Sequence, residues 1–576
     1  MCGLAGIYSP SDSPDQNALA RMSAALHHRG PDDSGTWSEG PVAFAHRRLS
    51  IVDLSKAGAQ PMTSASGRYV IAYNGEIYNA ADLKSHLPAL TWRGHSDTEV
   101  LLAAIEYLGL EKALNLCDGM FALALFDRHD QTLYLARDRL GEKLLWYGWV
   151  GRAFIFSSEL SSLRAGCGGA LSPDRDALAG YLRHNYLVSE TSAFSGISKV
   201  RPGTLVRLTR AAAERQGTPT IQSWWSLQSA IAAVEIPERP EEVDERLLEL
   251  LRRSIRRRLV ADVPVGAFLS GGIDSSLVTA LMQEMSGAPV RTFTMGFEES
   301  AWDESPYAQA VADHLGTTHT TMCVSATELL DTVEQLPSVI SEPFADSSFI
   351  PTWALSRLCR QHVTVALSGD GGDELFWGYR RYRLWERACR WRALAPSTLR
   401  SGIANLLTAA PVQSLSSRLR VVNPQGANRS LAQRLQQISN LLREPDNRSL
   451  YRQLISHQQT PEIFIEGATE PKTVYGDTDH WVHTAPPWRA VALADTLAYL
   501  PNDILTKVDR ASMATSLETR IPLLDHRLVA FASALPRHQV IDALGGKRPL
   551  RRILNEFVPE SLTNRPKQGF GVPLDS

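Results

Sequence analysis

The stretch Ser270-Gly-Gly-Ile-Asp-Ser-Ser276 combines the residue types that hold a phosphate. Gly271 and Gly272 let the backbone turn sharply and bring its N–H groups against an anion. Ser270, Ser275 and Ser276 add hydroxyl donors where Leu277, Val278, Ala280 and Leu281 mark the start of a helix, and the helix dipole there favours negative charge. The loop carries no lysine of the Walker type. Asp274 would repel a bare polyphosphate, so its presence predicts a divalent cation between protein and phosphates. A second loop, Ser368-Gly-Asp-Gly-Gly-Asp-Glu374, has the same construction and offers acids to the same cation. One such loop also fits an ordinary glycine turn; two together read as one nucleotide site.

A different chemistry stands at the other end of the chain. Cys2 follows the initiator methionine, and removal of that methionine would give the cysteine a free α-amine of ordinary pKa about 7.7 to 8.0. Such an amine can act as base for its own thiol. The alternative is a buried cysteine that happens to come second. Arg48, Glu76 and Asp97 each end an apolar segment, where a strand in a core would not place them. Arg48 offers a fork for a carboxylate, and Glu76 and Asp97 suit an ammonium, so the set matches both ends of an α-amino acid. Asn74 and the Gly75 N–H are placed to donate to a developing oxyanion. A structural ion pair is the competing account of Arg48 and Asp97.

These residues need elements to carry them. Val265-Gly-Ala-Phe-Leu269 and His362-Val-Thr-Val-Ala-Leu367 predict strands that discharge into the two serine–glycine loops, which implies a parallel sheet with its ligand beyond the strand C-termini. Val290–Phe297 predicts a further strand with Gly296 at its end, where a purine can lie against the backbone. In the first half, Gly119–Phe126, Thr132–Leu135 and Ala153–Phe156 alternate as strands, and helices fit residues 16–27 and 97–109. From Glu241 to Val260 apolar residues recur at helical spacing, with Glu249 and Arg253 placed for an i, i+4 pair. The arginines Arg252, Arg253, Arg256, Arg257 and Arg258 then form a solvated or interdomain face of that helix. The segments Leu505–Met513 and Leu517–Asp525 carry paired acids and bases, which read as helical scaffolding.

At 576 residues the chain predicts two domains. A formal net charge of -3 gives no argument for nucleic acid or membrane as partner. No apolar run reaches membrane-spanning length and no secretory signal is visible, so a cytoplasmic protein is expected. The six cysteines have no C-x-x-C spacing, which argues against disulfides and structural zinc and leaves all but Cys2 as core fillers. His314 and His319 lack metal-ligand spacing and read as structural.

Met1-Cys-Gly-Leu-Ala-Gly6, His28-Arg-Gly-Pro-Asp32, Arg48-Leu-Ser-Ile-Val-Asp53, Tyr73-Asn-Gly-Glu76, Ser96-Asp-Thr-Glu99 and Ala136-Arg-Asp-Arg139 resemble, in that order, the class II glutamine amidotransferase domain. With the two later loops, the chain resembles the glutamine-hydrolysing asparagine synthetase family over nearly its whole length. The resemblance implies an α/β protein: an Ntn-hydrolase αββα sandwich over residues 2–210, a linker over 211–238, and a doubly wound PP-loop ATP-pyrophosphatase domain over 239–576.

It also implies roles. Cys2 would be the nucleophile, with Asn74 and Gly75 at the oxyanion, and Arg48, Val52, Glu76 and Asp97 would complete the glutamine site. ATP would lie against Phe268, Ser270, Gly271, Gly272, Asp274, Ser275, Ser276, Met295, Ser368 and Gly369, with Phe268 and Met295 beside the adenine. Magnesium would be held by Asp274 and Asp373, and Asp370 would serve formation of the intermediate. Asp346 and Ser347 border the expected acceptor pocket. Lys567, in a Pro-Lys-Gln-Gly turn, would stabilise the charge that develops during acyl-adenylate formation. The implied partners are small molecules: glutamine, ATP and an acceptor carboxylate, with room for a homodimer. Aspartate is the default acceptor; a uronic acid of a surface polysaccharide is a second reading, and a non-catalytic glutamine- or nucleotide-binding protein a third. Ammonia is protonated in neutral water, so a dry passage and an apolar, substantial interdomain interface are expected.

Overall fold

Apolar and aromatic residues alternating between short turns make the first 225 residues strand-rich. The computed structural model describes residues 2–169, 171–188, 190–298, 303–409, 431–476 and 485–563. One sheet contains β1 (Gly3–Tyr8), β2 (Asp33–Glu39), β3 (Val42–Arg48), β8 (Trp146–Val150), β9 (Ala153–Ser157) and β10 (Ile197–Lys199), in the order β10-β8-β9-β1-β3-β2. The other contains β4 (Met62–Thr63), β5 (Tyr69–Ile77), β6 (Gly119–Asp127), β7 (Thr132–Arg137), β11 (Thr204–Leu208) and β12 (Thr220–Ser223), in the order β12-β11-β7-β6-β5-β4. Leu4, Tyr8 and Phe44 of the first pack on Val70, Ala122 and Phe126 of the second. Helix α1 (Gln16–Ala25) covers the first sheet through Leu19 and Met22, and helix α2 (Asp97–Leu108) covers the second through Leu101 and Ile105. The layers are therefore αββα.

The second half is organised by helix α3 (Pro240–Arg258) and a parallel sheet. Its strands are β13 (Val265–Phe268), β14 (Arg291–Phe297), β15 (Thr318–Val324), β16 (Val365–Leu367) and β17 (Glu518–Arg520), in the order β15-β14-β13-β16-β17. The chain winds outward on one side of β13 and then on the other. Doubly wound sheets bind ligands at that reversal, here between the ends of β13 and β16.

Several expectations are corrected in detail. Glu249 pairs with Arg246 at 2.5 Å rather than with Arg253, which is exposed. The arginine run does form an interdomain face: Arg257 reaches Asp118 and Asp82, and Arg258 lies buried over the Tyr78 ring. Glu518 and Arg520, expected on a helix, lie on edge strand β17. All six cysteines are free, but Cys323 is an exposed residue of edge strand β15 and not a core filler. His314 and His319 bond Phe557 O and Thr292 Oγ1, as structural histidines. No helix among the described residues is long and apolar enough to cross a membrane.

The interdomain interface is apolar only in part. Leu49, Ile51, Tyr78 and Met120 of the first domain pack with Val365 and Met513 of the second. Around this cluster lie buried ion pairs, including Arg29 with Asp509 at 2.9 Å and Arg520 with Glu76 at 3.4 Å. Charged groups survive there because each carboxylate meets a cation across the boundary.

His184 is a buried exception. Its ring is 3% exposed, lies 5.5 Å from Tyr475 and 5.7 Å from Tyr186, and neither nitrogen has a hydrogen-bond partner among the described residues. Burial pushes the ring's pKa down to about 3, so it is neutral in the folded chain at neutral pH. Below the ordinary value of about 6.5 the unfolded chain takes a proton that the folded chain refuses, and stability falls as pH drops from there toward 3. His184→Phe should raise stability by about 1 kcal/mol at pH 5 and flatten the acid side of the Tm–pH curve. An unchanged slope would show that the ring does not titrate on unfolding.

Candidate active sites

The first site is built where β1 begins. The Cys2 backbone N–H donates to Asn74 Oδ1 at 2.9 Å, and Arg29 Nε donates to Cys2 O at 3.1 Å. Arg29 is fixed in turn by Glu159 at 2.9 Å and by Asp509 of the second domain. Burial raises the Cys2 thiol, so the sulfur needs a base before it can attack. Asn74 lies on β5, fully buried, and its Nδ2 has no partner among the described residues. A donor buried in that way is prepared for an acceptor that arrives with the reaction. Gly75 must be glycine for packing: a Cβ there would lie 2.2 Å from Met120 O on β6.

Alternation along β5 puts Glu76 on the same face as Asn74. Asp97 opens helix α2, behind the Ser96 cap, and accepts from Tyr73 Oη and Ile77 N, both at 2.9 Å. Cys2, Arg48, Val52, Glu76, Asp97 and Glu518 line one pocket. Arg48 does not present a bare fork. It donates to Ser55 O at 2.8 Å and to Asp53 O, which leaves only its remaining N–H groups for a ligand. Burial raises both Glu76 and Asp97, and for Glu76 the Asp97 charge adds to it. A substrate cation would favour the charged form of both acids, adding to the Arg520 guanidinium that Glu76 already meets.

The second site lies where the sheet predicts it. Ser270 Oγ and Ser275 Oγ are 2.9 Å apart at the mouth of the first loop, and Gly271 takes a φ of +71°. Asp274 sits in the first turn of helix α4 (Ile273–Met285). Ser276 is fully buried: its backbone N–H is bonded to Gly272 O, and its Oγ has no hydrogen-bond partner among the described residues. The second loop presses on the first: a Cβ on Gly369 would meet Ser275 N at 2.8 Å, and one on Gly372 would meet Asp274 Oδ1 at 2.3 Å. Ser368 Oγ bonds the Asp370 carboxylate. Met295 is buried in an apolar cluster against which Phe268 packs.

Sequence reasoning missed the cation of this site. Lys567 lies outside the described residues. Lys547, 5% exposed, places its ammonium between Asp274 and Asp373, with Asp373 Oδ1 at 2.6 Å. It stands just before helix α5 (Arg548–Leu554) with a φ of +62°, a conformation costly for any residue but glycine. A lysine following Gly545 and Gly546 was a visible signal of the same kind as the turn at Lys567. Two carboxylates that already converge on one ammonium also fit a hard divalent cation shared with a polyphosphate.

Glu374 was missed as well. It is 1% exposed, accepts from Tyr379 Oη at 2.7 Å, and is pushed up to about 7 by burial and by the neighbouring Asp373. Farther along, Lys507 donates to Asp346 Oδ2 at 2.9 Å and to Ser348 Oγ at 2.8 Å, so Ser348 rather than Ser347 joins this cluster. Asp503 stands near them, raised to about 8 by burial and by Asp346.

Comparison with known proteins accords with both halves. Residues 1–225 match the glutamine amidotransferase domain, and residues 246–576 match asparagine synthase. The chain belongs to the asparagine synthase family. Among family members, it is 31% identical to asparagine synthetase [glutamine-hydrolyzing] 1 of Bacillus subtilis, covering 100% of this chain and 87% of that protein. It is 33% identical to a putative asparagine synthetase [glutamine-hydrolyzing] of Mycobacterium tuberculosis, covering 100% and 88%. A solved glutamine phosphoribosylpyrophosphate amidotransferase from Bacillus subtilis aligns with 56% of this chain and 81% of its own, at 15% identity and a TM-score of 0.31.

Lys547→Met removes the ammonium between two half-buried acids of this asparagine synthase site. ATP-dependent pyrophosphate release should fall by about 100-fold or more, while glutamine hydrolysis keeps its rate. A variant that still releases pyrophosphate at the wild-type rate would remove Lys547 from the site.

Proposed function

We propose that the chain is a ligase that takes nitrogen from glutamine at the first site and joins it to an acceptor carboxylate at the second, at the cost of ATP. The full-length likeness to relatives named asparagine synthetase [glutamine-hydrolyzing] supports that reading. The observation that carries it is the pairing of two unlike sites across one buried boundary. A cysteine with an oxyanion donor lies on one side, and two facing phosphate loops with a lysine lie on the other.

At the first site the α-amine of the processed chain takes the Cys2 proton, and the sulfur attacks the side-chain amide carbon of glutamine. Asn74 Nδ2 and the Gly75 N–H hold the oxyanion. The C–N bond breaks, ammonia leaves with the proton, and water then cleaves the thioester to give glutamate. Glu76 and Asp97 hold the substrate ammonium, and Arg48 holds its carboxylate.

At the second site Ser270, Gly272 and Ser275 hold phosphate oxygens. Asp274 and Asp373 would hold magnesium, which supplies charge compensation to the phosphates when bound. An acceptor carboxylate oxygen attacks the α-phosphorus and pyrophosphate leaves, with Lys547 stabilising the negative charge. Ammonia then attacks the carbonyl carbon of the mixed anhydride, Glu374 takes the proton it sheds, and AMP departs. A carboxyl pushed up to about 7 is matched to that transfer near neutral pH.

Aspartate is the acceptor this reading favours, because the full-length relatives are named asparagine synthetase [glutamine-hydrolyzing]. The decisive screen measures pyrophosphate and AMP released from ATP in the presence of glutamine with aspartate or with uronic acids. Release with a uronic acid alone would overturn the aspartate reading.

Cys2→Ala should abolish glutamine-driven synthesis and leave ammonia-driven synthesis at the wild-type rate. Equal loss of both in a folded protein would refute this division of labour.

A further inference from the structure

Arg520 belongs to the synthetase sheet, yet its side chain ends behind the glutamine pocket, against Glu76 of the pocket wall. It is fully buried, and three hydrogen bonds fix its guanidinium. Nε donates to Glu518 Oε1 at 2.6 Å, and Nη1 donates to Arg258 O at 2.8 Å and Val260 O at 2.7 Å. Nη2 is thereby aimed at Glu76 Oε2, 3.4 Å away across the domain boundary. Its own carbonyl accepts from Ser368 N at 2.9 Å, so the residue is anchored to the strand end that launches the second phosphate loop.

Glu76 has need of such an anchor. It is 4% exposed and close to Asp97, and burial and that neighbour both push its carboxyl upward, with Arg520 the leading opposing charge. Glu518, also of the second domain, lines the same pocket. An acid in this setting takes up a proton or turns away unless a cation holds it.

We propose that Arg520 is a positioning residue of the glutamine site: from the edge strand of the neighbouring domain it fixes the Glu76 carboxylate where a substrate α-ammonium is read. The inference rests on the glutaminase reading above and adds that the pocket's preference for an α-amino acid is set by a residue outside the amidotransferase domain. Arg520 acts through Glu76 and touches no reacting atom.

The readout is discrimination between glutamine and 4-carbamoylbutanoate, which is glutamine without its α-amine. Ammonia release from each is measured with the full chain. Arg520→Met should raise the KM for glutamine by about tenfold or more, leave kcat within a few-fold, and shrink the preference for glutamine over the desamino amide toward unity. Arg520→Lys, which keeps a cation on β17, should restore part of that preference. A purely structural role would depress both amides alike, and a folded Arg520→Met with wild-type preference overturns the proposal.

Should neither Arg520 variant fold, Glu76→Gln carries the test. It must erase the same preference, and a preference retained in that variant shows that another group reads the amine, which also overturns the proposal. Wild-type protein that releases no ammonia from glutamine at all would sink the glaring premise itself, the glutaminase reading, and is told apart from the other outcomes by needing no variant.

Discussion

A carboxylate withdrawn from water must meet a cation or surrender its charge, and across the boundary of this chain the cations and acids come from opposite domains. Arg29 of the amidotransferase half is held by Asp509 of the synthetase half, and the same arginine holds the carbonyl of Cys2. Arg257 crosses in the other direction to Asp118 and Asp82. Such pairs add little net stability compared with apolar packing, but each leaves a buried charge uncompensated if its partner is displaced. Through Arg29 the nucleophile's backbone is tied to one of them.

Close backbone approach performs the same service at the nucleotide loops. Gly369 and Gly372 admit the second loop against Asp274 and Ser275, and Gly378 does so against Asp373 and Lys547. A side chain at any of these positions would separate the acids that must act together. The strained backbone of Lys547 fits this setting, because two carboxylates around its ammonium offset an unfavourable φ.

Much of this was legible in the chain itself. Alternating segments announced β5, β6 and β7, and the two serine–glycine loops announced a parallel sheet with a site beyond its strand ends. Those signals are local, since periodicity and turn chemistry are properties of neighbouring residues. What escaped notice was long-range. Lys547 meets Asp274 from 273 positions away, and no spacing rule connects them. Glu518 and Arg520 looked like a helical acid–base pair because a three-residue strand is too short to show a period of two. Arg48 looked free for a ligand because nothing in the sequence shows that the Asp53–Ser55 turn brings carbonyls to its guanidinium.

The Arg520–Glu76 contact joins residues 444 positions apart. At ordinary rates of synthesis, roughly 5 to 20 residues per second, some 20 to 90 s separate the emergence of these two partners from the ribosome. An amino-terminal sandwich that folds within that interval does so with Glu76 still lacking its distal arginine. Completion of the polypeptide, rather than folding of its first module, is the event that finishes the pocket.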